Sequence, residues 1–233
     1  MKQEIRRGKL YGIGVGPGDP ELVTIKALRC MKESDILILP SEPREDCHAY
    51  RIVRQIYPEI EQKKTISIPF PMIKEKEKLE EAHEKIFHRI RALLAEGNTL
   101  AFLTIGDPTV YSTYGYIHRK VTAEGGKAEI ISGVPSFCAV AAALGISLGD
   151  GGEEIHVIPA SYDVAETLNW RGTKIYMKSG KHLAELKWLL SSVDAEVYAV
   201  SNCGMENQKI YRDAVSIDAD SSYFTVVVVK EKE

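Results

Sequence analysis

The sequence predicts an α/β protein of two lobes, with a mostly parallel sheet in the N-terminal half and a mixed sheet in the C-terminal half. Three observations predict this. Short apolar runs alternate with amphipathic segments along the whole chain, the order that builds βαβ units. In the first half those runs stop abruptly at Gly, Pro and Asp turns, as buried strands do. The last two apolar runs are separated by about 22 residues without a strong helical pattern, which suits antiparallel pairing better than a crossover.

Leu10 to Val15 is a short apolar run that enters Gly16-Pro17-Gly18-Asp19-Pro20, a buried strand leading into a sharp loop. A helix over about Glu21 to Lys32 places Leu22, Ile25, Leu28 and Cys30/Met31 near one face, and Asp35 to Pro40 follows as a second buried strand. Residues 44–58 read as a helix, Thr65 to Pro69 as a strand, and 74–96 as a long charged helix. In that long helix Leu79, Ala82, Ile86, Ile90 and Leu93/Leu94 recur at helical spacing. Gly97-Asn98 ends it, and Thr99 to Ile105 is an apolar strand that stops at Gly106-Asp107-Pro108, with a helix following through about Lys120.

A strand over Ala128 to Ser132 and an alanine-rich helix over Val134 to Leu144 come next. Gly145 to Glu154 is the most linker-like stretch, with Gly149-Asp150-Gly151-Gly152 at its centre. Shorter elements then alternate: strand 155–159, helix 163–169, strand 173–178, helix 181–191, strand 196–201 and a closing strand Tyr223 to Lys230. The lobes are expected over residues 1–122 and 123–233, with a ligand cleft between them.

A chain of 233 residues can bury a sizeable core without a metal or disulfide staple. Lys+Arg number 30 against Asp+Glu 33, a net charge of −3, so nothing in the global charge invites nucleic acid or a membrane surface. A small molecule is the expected partner. Cys30, Cys47, Cys138 and Cys203 form no CxxC pair, and the histidines include no i,i+4 pair, so neither a zinc site nor a redox centre is expected. Met1 to Arg7 has no apolar stretch behind its charges, and no segment reaches the roughly 20 apolar residues of a membrane span. A cytoplasmic location is therefore expected.

Gly12-Ile13-Gly14-Val15-Gly16-Pro17-Gly18 fits no G-x-G-x-x-G register, because the sixth position is Pro17 from Gly12 and Asp19 from Gly14. Gly126-Lys127 is followed by Ala128, which excludes a phosphate-binding G-K-[ST] loop. With no G-x-S-x-G elbow either, dinucleotide, kinase and hydrolase readings fall away. What survives is a strand-end glycine turn that either lets a ligand approach the backbone or serves the turn alone.

Thr104 to Thr113 combines a strand end, an unhindered glycine, a carboxylate, a rigid proline and several hydroxyls. It lies at the carboxyl end of a strand, where open α/β sheets bind ligands. Asp107 either caps the helix that follows or faces that ligand. Ile131-Ser132-Gly133-Val134-Pro135-Ser136-Phe137 is a third strand-turn-helix junction, and Ser136 can offer a hydroxyl and an N–H at a helix start.

Taken together, Gly14 to Pro20, Gly106-Asp107-Pro108 and Gly133-Val134-Pro135-Ser136 resemble the tetrapyrrole methylase family, in order and spacing over essentially the whole chain. Within the family the resemblance is to the branch that methylates C-20 of precorrin-2 or cobalt-factor II. It is carried by Gly106 to Tyr114, Pro69-Phe70-Pro71-Met72 and Tyr223-Phe224-Thr225. The Lys178-Ser179 pair departs from uroporphyrinogen methyltransferases, which tend to have glycine and a hydrophobic residue there.

The resemblance implies the two-lobed tetrapyrrole methylase fold, a homodimer, and S-adenosylmethionine bound folded up, with S-adenosylhomocysteine as product. It implies that Pro17, Gly106, Asp107, Val110, Ser136, Phe137 and Met177 line the cofactor site, with Ser201 and Thr225 as further carry-overs. Asp107 is expected to steer the macrocycle or help remove its meso proton. Lys178 is expected to meet substrate carboxylates, and Tyr223 to stack on the ring or hydrogen-bond at the site. Rival readings are another tetrapyrrole methylase acting at a different ring carbon, diphthine synthase, and a binding domain without turnover.

Overall fold

The computed structural model describes residues 8–70, 75–159, 164–178, 183–218 and 222–232. The chain forms two units, residues 1–135 and 136–233. This division lies beyond the expected 122/123 boundary because the strand Lys127–Ile131 pairs in parallel with Lys9–Gly14 and so completes the first sheet.

The first unit contains β1 (Lys9–Gly14), α1 (Ile25–Glu33), β2 (Ile36–Leu39), α2 (His48–Ile56), β3 (Lys64–Ser67), α3 (Lys76–Ala95), β4 (Thr99–Thr104), α4 (Tyr114–Ala123) and β5 (Lys127–Ile131). Its strands are all parallel, in the order β3-β2-β4-β1-β5. Every connection is therefore a crossover. Ile13, Leu37, Leu39, Ala101 and Leu103 pack with Met31 of α1 and Ile52 and Val53 of α2 on one face. Leu10, Ile36, Ile38, Leu100 and Phe102 pack with Ile86, Ile90 and Leu94 of α3 and Ile117 of α4 on the other. Alternate residues of one strand thus enter two cores, which is why these strands read as unbroken apolar runs.

Three helices are shorter than their apolar patterns suggest. Asp19 accepts from the Glu21 N–H and starts only a 3-10 turn over Pro20–Leu22. Thr24 then caps α1 by accepting from the Ala27 N–H at 3.1 Å, and Ile25, at its first position, is 88% exposed rather than on the buried face. The 44–58 segment is likewise divided into a 3-10 turn at Arg44–Asp46, α2, and a second 3-10 stretch that Pro58 opens. The helix after β4 starts only at Tyr114, where Ser112 Oγ accepts from the Tyr114 N–H at 3.2 Å.

The second unit contains α5 (Ser136–Leu144), β6 (Ile155–Pro159), α6 (Val164–Thr167), β7 (Thr173–Met177), α7 (Leu183–Leu190), β8 (Ala195–Ser201), β9 (Lys209–Tyr211) and β10 (Thr225–Glu231). The order is β6-β7-β10-β8-β9, with β6 parallel to β7 and every other pair antiparallel. The sheet is mixed, and β10 runs antiparallel to β8, with Thr225 opposite Ser201 and Glu231 opposite Ala195. The strand β9 carries no signal in the sequence, since three residues are too few to display a period. Val227 and Val229 join Leu183, Leu186 and Leu190 of α7 in one core, while Val226 and Val228 are buried on the opposite side of the strand. Among the described residues no helix is long and apolar enough to cross a membrane.

Candidate functional site

The carboxyl edge of the first sheet is where a ligand is expected, at the neighbouring strands β1 and β4, whose chains leave toward opposite faces. The two departing chains are bonded to each other. The Val15 N–H donates to Thr104 O at 3.0 Å, the Gly106 N–H to Gly16 O at 2.8 Å, and the Gly16 N–H to Gly106 O at 3.4 Å. A Cβ on Gly14 would lie 2.5 Å from Gly106 O, and one on Gly133 would lie 2.3 Å from the same oxygen. Gly16 and Gly106 have φ of 75° and 70°. Close backbone packing accounts for Gly14 and Gly133, and the left-handed φ accounts for Gly16 and Gly106.

Asp107 is 6% exposed. Its Oδ1 accepts from the Thr109 N–H at 2.7 Å and the Thr109 hydroxyl at 2.5 Å, and its Oδ2 accepts from the Gly133 N–H at 3.0 Å. The carboxylate therefore joins the end of β4 to the turn after β5, on either side of β1. It does not cap α4, whose first turn is served by Ser112 instead. Three donors engage its two oxygens, so the carboxylate holds the turn in place. Thr104 Oγ1 and Ser112 Oγ stand 3.2 Å apart and close the base of the loop between them. Pro17 is buried beside this edge and Val110 is half-buried on the loop.

In the second unit, strand directions bring the carboxyl ends of β6, β7 and β8 and the start of β10 to one sheet edge. Met177, Lys178, Ser201, Tyr223 and Thr225 all lie at that edge. Met177 ends β7 opposite Pro159 and is buried. Lys178 follows it in a left-handed conformation, φ 60°; the residue is exposed, yet desolvation around its ammonium lowers its pKa. Ser201 and Thr225 are buried, their hydroxyls 2.8 Å apart, and the Thr225 hydroxyl also donates to Ser222 O at 2.6 Å. Both hydroxyl protons are thus spent within the protein, the Thr225 proton on Ser222 O and the Ser201 proton on Thr225 Oγ1. Tyr223 is 46% exposed, its ring edge-on to Phe224 at 5.5 Å, and burial of the phenol raises its pKa. Ser136 and Phe137 open α5 and are half-buried.

Three features of these edges had no sequence signal. Asn202, after β8, and Tyr111, on the β4 loop, are left-handed at φ 52° and 47°. Tyr114 is fully buried against Gly12, where a Cβ would fall 2.1 Å from Tyr114 Cε1, and its hydroxyl donates to Glu129 O at 3.1 Å. Of the Pro69 to Met72 segment, Phe70 packs edge-on to Phe102 at 5.6 Å, while Pro71 and Met72 lie outside the described residues, as do Ser179, Gly180 and Met1 to Arg7.

Among the described residues no group of three or more His, Cys, Asp or Glu side chains is gathered that could hold a metal ion.

Comparison with known proteins shows what the chain as a whole is similar to. The sequence profile of the Tetrapyrrole (Corrin/Porphyrin) Methylases matches residues 9–217. The chain is 32% identical to the probable cobalt-precorrin-2 C(20)-methyltransferase of Methanocaldococcus jannaschii, over 95% of this chain and 96% of that protein. It is 27% identical to the cobalt-precorrin-2 C(20)-methyltransferase of Salmonella typhimurium, over 97% of each. Its fold is similar to the uroporphyrin-III C-methyl transferase of Thermus thermophilus solved with S-adenyl homocysteine, with a TM-score of 0.69, 20% identity and coverage of 96% of this chain and 98% of that one.

Proposed function

This chain is a member of the tetrapyrrole methylase family, and from that membership we propose that it transfers the methyl group of S-adenosylmethionine to the C-20 meso carbon of precorrin-2 or cobalt-factor II. The single observation that carries the reading is the 32% identity, over nearly the full length of both proteins, to a relative named for C-20 methylation of the cobalt form. A relative at 27% identity bearing the same activity name supports it. S-adenosylmethionine as the donor is supported by a fold neighbour solved with S-adenyl homocysteine.

When bound, the cofactor would supply an electrophilic methyl on sulfur. Transfer would exchange the S–CH3 bond for a C-20–CH3 bond, with S-adenosylhomocysteine as the leaving group and the meso proton of C-20 given up. An in-line displacement of this kind needs alignment more than acid or base power. Pro17, Gly106, Asp107 and Val110 in the first unit and Ser136, Phe137, Met177, Ser201 and Thr225 in the second would hold the cofactor. Asp107 acts by fixing the turn that carries Gly106 and Val110, since its oxygens accept from Thr109 and Gly133. Lys178 meets macrocycle carboxylates with its ammonium, and Tyr223 offers an exposed ring at the same sheet edge. We further propose that the protein works as a homodimer in the cytoplasm.

The test is incubation with S-adenosylmethionine and, in parallel, precorrin-2, cobalt-factor II and uroporphyrinogen III, followed by mass analysis and location of the new methyl. A single methyl on C-20 of either of the first two is the expected result, and the better of the two assigns the cobalt state. Methylation of uroporphyrinogen III, or of another ring carbon, would overturn the C-20 assignment. Transfer only to a modified histidine on a folded protein would indicate diphthine synthase, and cofactor binding without any transfer a non-catalytic domain.

A further inference from the structure

Asn202 follows β8 with a side chain whose hydrogen-bonding capacity the protein leaves largely unused. Its backbone is fixed. The Asn202 N–H donates to Phe224 O at 3.1 Å, Asn202 O accepts from the Met205 N–H at 2.9 Å, and φ is 52°. The turn beyond is closed by the Gln208 N–H on Met205 O at 3.0 Å and the Gly204 N–H on Gln208 Oε1 at 2.7 Å. Asparagine is among the few residues besides glycine that tolerate a left-handed φ, so the backbone explains why Asn or Gly stands here. It does not explain the carboxamide. That group can accept two hydrogen bonds and donate two, yet its one contact runs from Nδ2 to Asn207 O at 3.5 Å, beyond the ordinary N–H···O range. Among the described residues Oδ1 meets no donor, although Asn202 is only 9% exposed. A half-satisfied amide at this depth lowers stability in a way that glycine would avoid. Neighbouring Ser201 and Thr225 show the contrast, since both of their hydroxyl protons are taken up inside the protein. The carboxamide stands at the sheet edge that also carries Met177 and Thr225, and its oxygen is not sealed from the surface.

Building on S-adenosylmethionine as the donor proposed above, we infer that Asn202 is a cofactor-binding residue that recognises adenine, its Oδ1 accepting from the N6 amine and its Nδ2 donating to a ring nitrogen beside that amine. A planar carboxamide sets a donor next to an acceptor, and the edge of adenine does the same. The macrocycle instead offers carboxylates, which only accept and suit a cation such as Lys178. With adenine in place both halves of the amide are paired. A base without the N6 amine leaves Oδ1 unpaired, so the burial that is unfavourable in the free protein becomes a means of discrimination.

Titration calorimetry on the wild type and Asn202→Gly tests this, with S-adenosylhomocysteine and its 6-deamino analogue, in which purine replaces adenine, as probes. The wild type is expected to bind the adenine form about tenfold more tightly than the purine form. Asn202→Gly keeps the left-handed turn and should melt no earlier than the wild type. It should bind S-adenosylhomocysteine about tenfold more weakly and distinguish the two bases by less than about twofold. Its KM for S-adenosylmethionine should rise with that loss, while the macrocycle KM stays within about twofold. Asn202→Asp keeps an acceptor and loses the donors, so it should bind both forms more weakly and still prefer adenine. Equal binding of the two bases by the wild type would overturn the inference without any variant. An Asn202→Gly protein that keeps the wild-type preference would overturn it too, whether its affinity is unchanged or lowered equally for both bases. So would an Asn202→Asp protein indifferent to the base. Each of these results leaves the proposed function standing. Methylation of another ring carbon overturns the C-20 reading and leaves the adenine assignment standing, and a wild type that binds neither S-adenosylmethionine nor S-adenosylhomocysteine overturns both.

Discussion

Asp107 Oδ2 accepts from the Gly133 N–H at 3.0 Å, so one carboxylate at the end of β4 holds the turn that follows β5, with β1 lying between the two strands. This bond makes the Gly106-Asp107-Pro108 turn part of the frame of the first unit.

Replacing Asp107 by alanine leaves Gly133 and Thr109 without their acceptor. Asp107→Ala should lower unfolding stability by about 1–3 kcal/mol, with Asp107→Asn intermediate because it keeps one carbonyl oxygen. Urea denaturation followed by circular dichroism measures this. A variant that unfolds at the wild-type urea concentration while losing methyl transfer would mean that the carboxylate acts on substrate instead.

Gly133→Ala drives a methyl to 2.3 Å from Gly106 O, a backbone atom that cannot rotate away. A loss of about 1–3 kcal/mol or more is expected from such overpacking. Gly152→Ala is the control: a Cβ there meets nothing within 4 Å, and the change should be within about 1 kcal/mol of neutral. Equal effects at the two positions would remove the packing account of Gly133.

Lys178 holds φ 60°, a conformation that glycine adopts freely. Lys178→Gly is therefore expected to unfold no earlier than the wild type and to methylate the macrocycle more slowly, chiefly through a raised macrocycle KM. Thermal melts and steady-state assays on one preparation decide it. Unimpaired methylation would return Lys178 to the role of a surface lysine.

Glu129 stands between Lys26 and Lys9, each at 2.8 Å, and the hydrogen bonds from Lys26 and Lys9 hold its carboxyl down at about 2, from an ordinary 4.5. Because the folded pKa is the lower one, the pairing stabilises the fold above about pH 4.5 and is lost as pH falls toward 2. The carboxylate is 37% exposed, so its worth is at most about 1 kcal/mol and shrinks in salt. Thermal midpoints of wild type and Glu129→Gln should differ at pH 7 and converge near pH 2. A gap that persists at low pH would trace to packing rather than charge.

The distance between sequence and structure differs from residue to residue. Runs such as Ile36 to Leu39 and Val226 to Val229 are legible because burial on both faces leaves an unbroken apolar string. The start of α1 is not legible in that spacing, because Ile25 sits at a helical interval yet faces solvent, and Thr24 rather than apolar spacing sets where the helix begins. The hydroxyls of Ser201 and Thr225 lie at the expected edge but are satisfied by each other, a cross-strand match between residues 24 positions apart. No local pattern announces such a pairing.

The sequence by itself determined the type and order of the elements, the parallel first sheet and the mixed second one, and the family. Periodicity and turn chemistry are local, and three short turns occurring together are specific where each alone is weak. Only the tertiary structure decided that β4 enters between β2 and β1, because strand neighbours are chosen by burial across long stretches of chain. From that insertion follow the contacts of Gly14 and Gly133 with Gly106 and the engagement of Asp107 with Gly133. The left-handed backbone at Tyr111 and at Asn202 is likewise visible only in three dimensions.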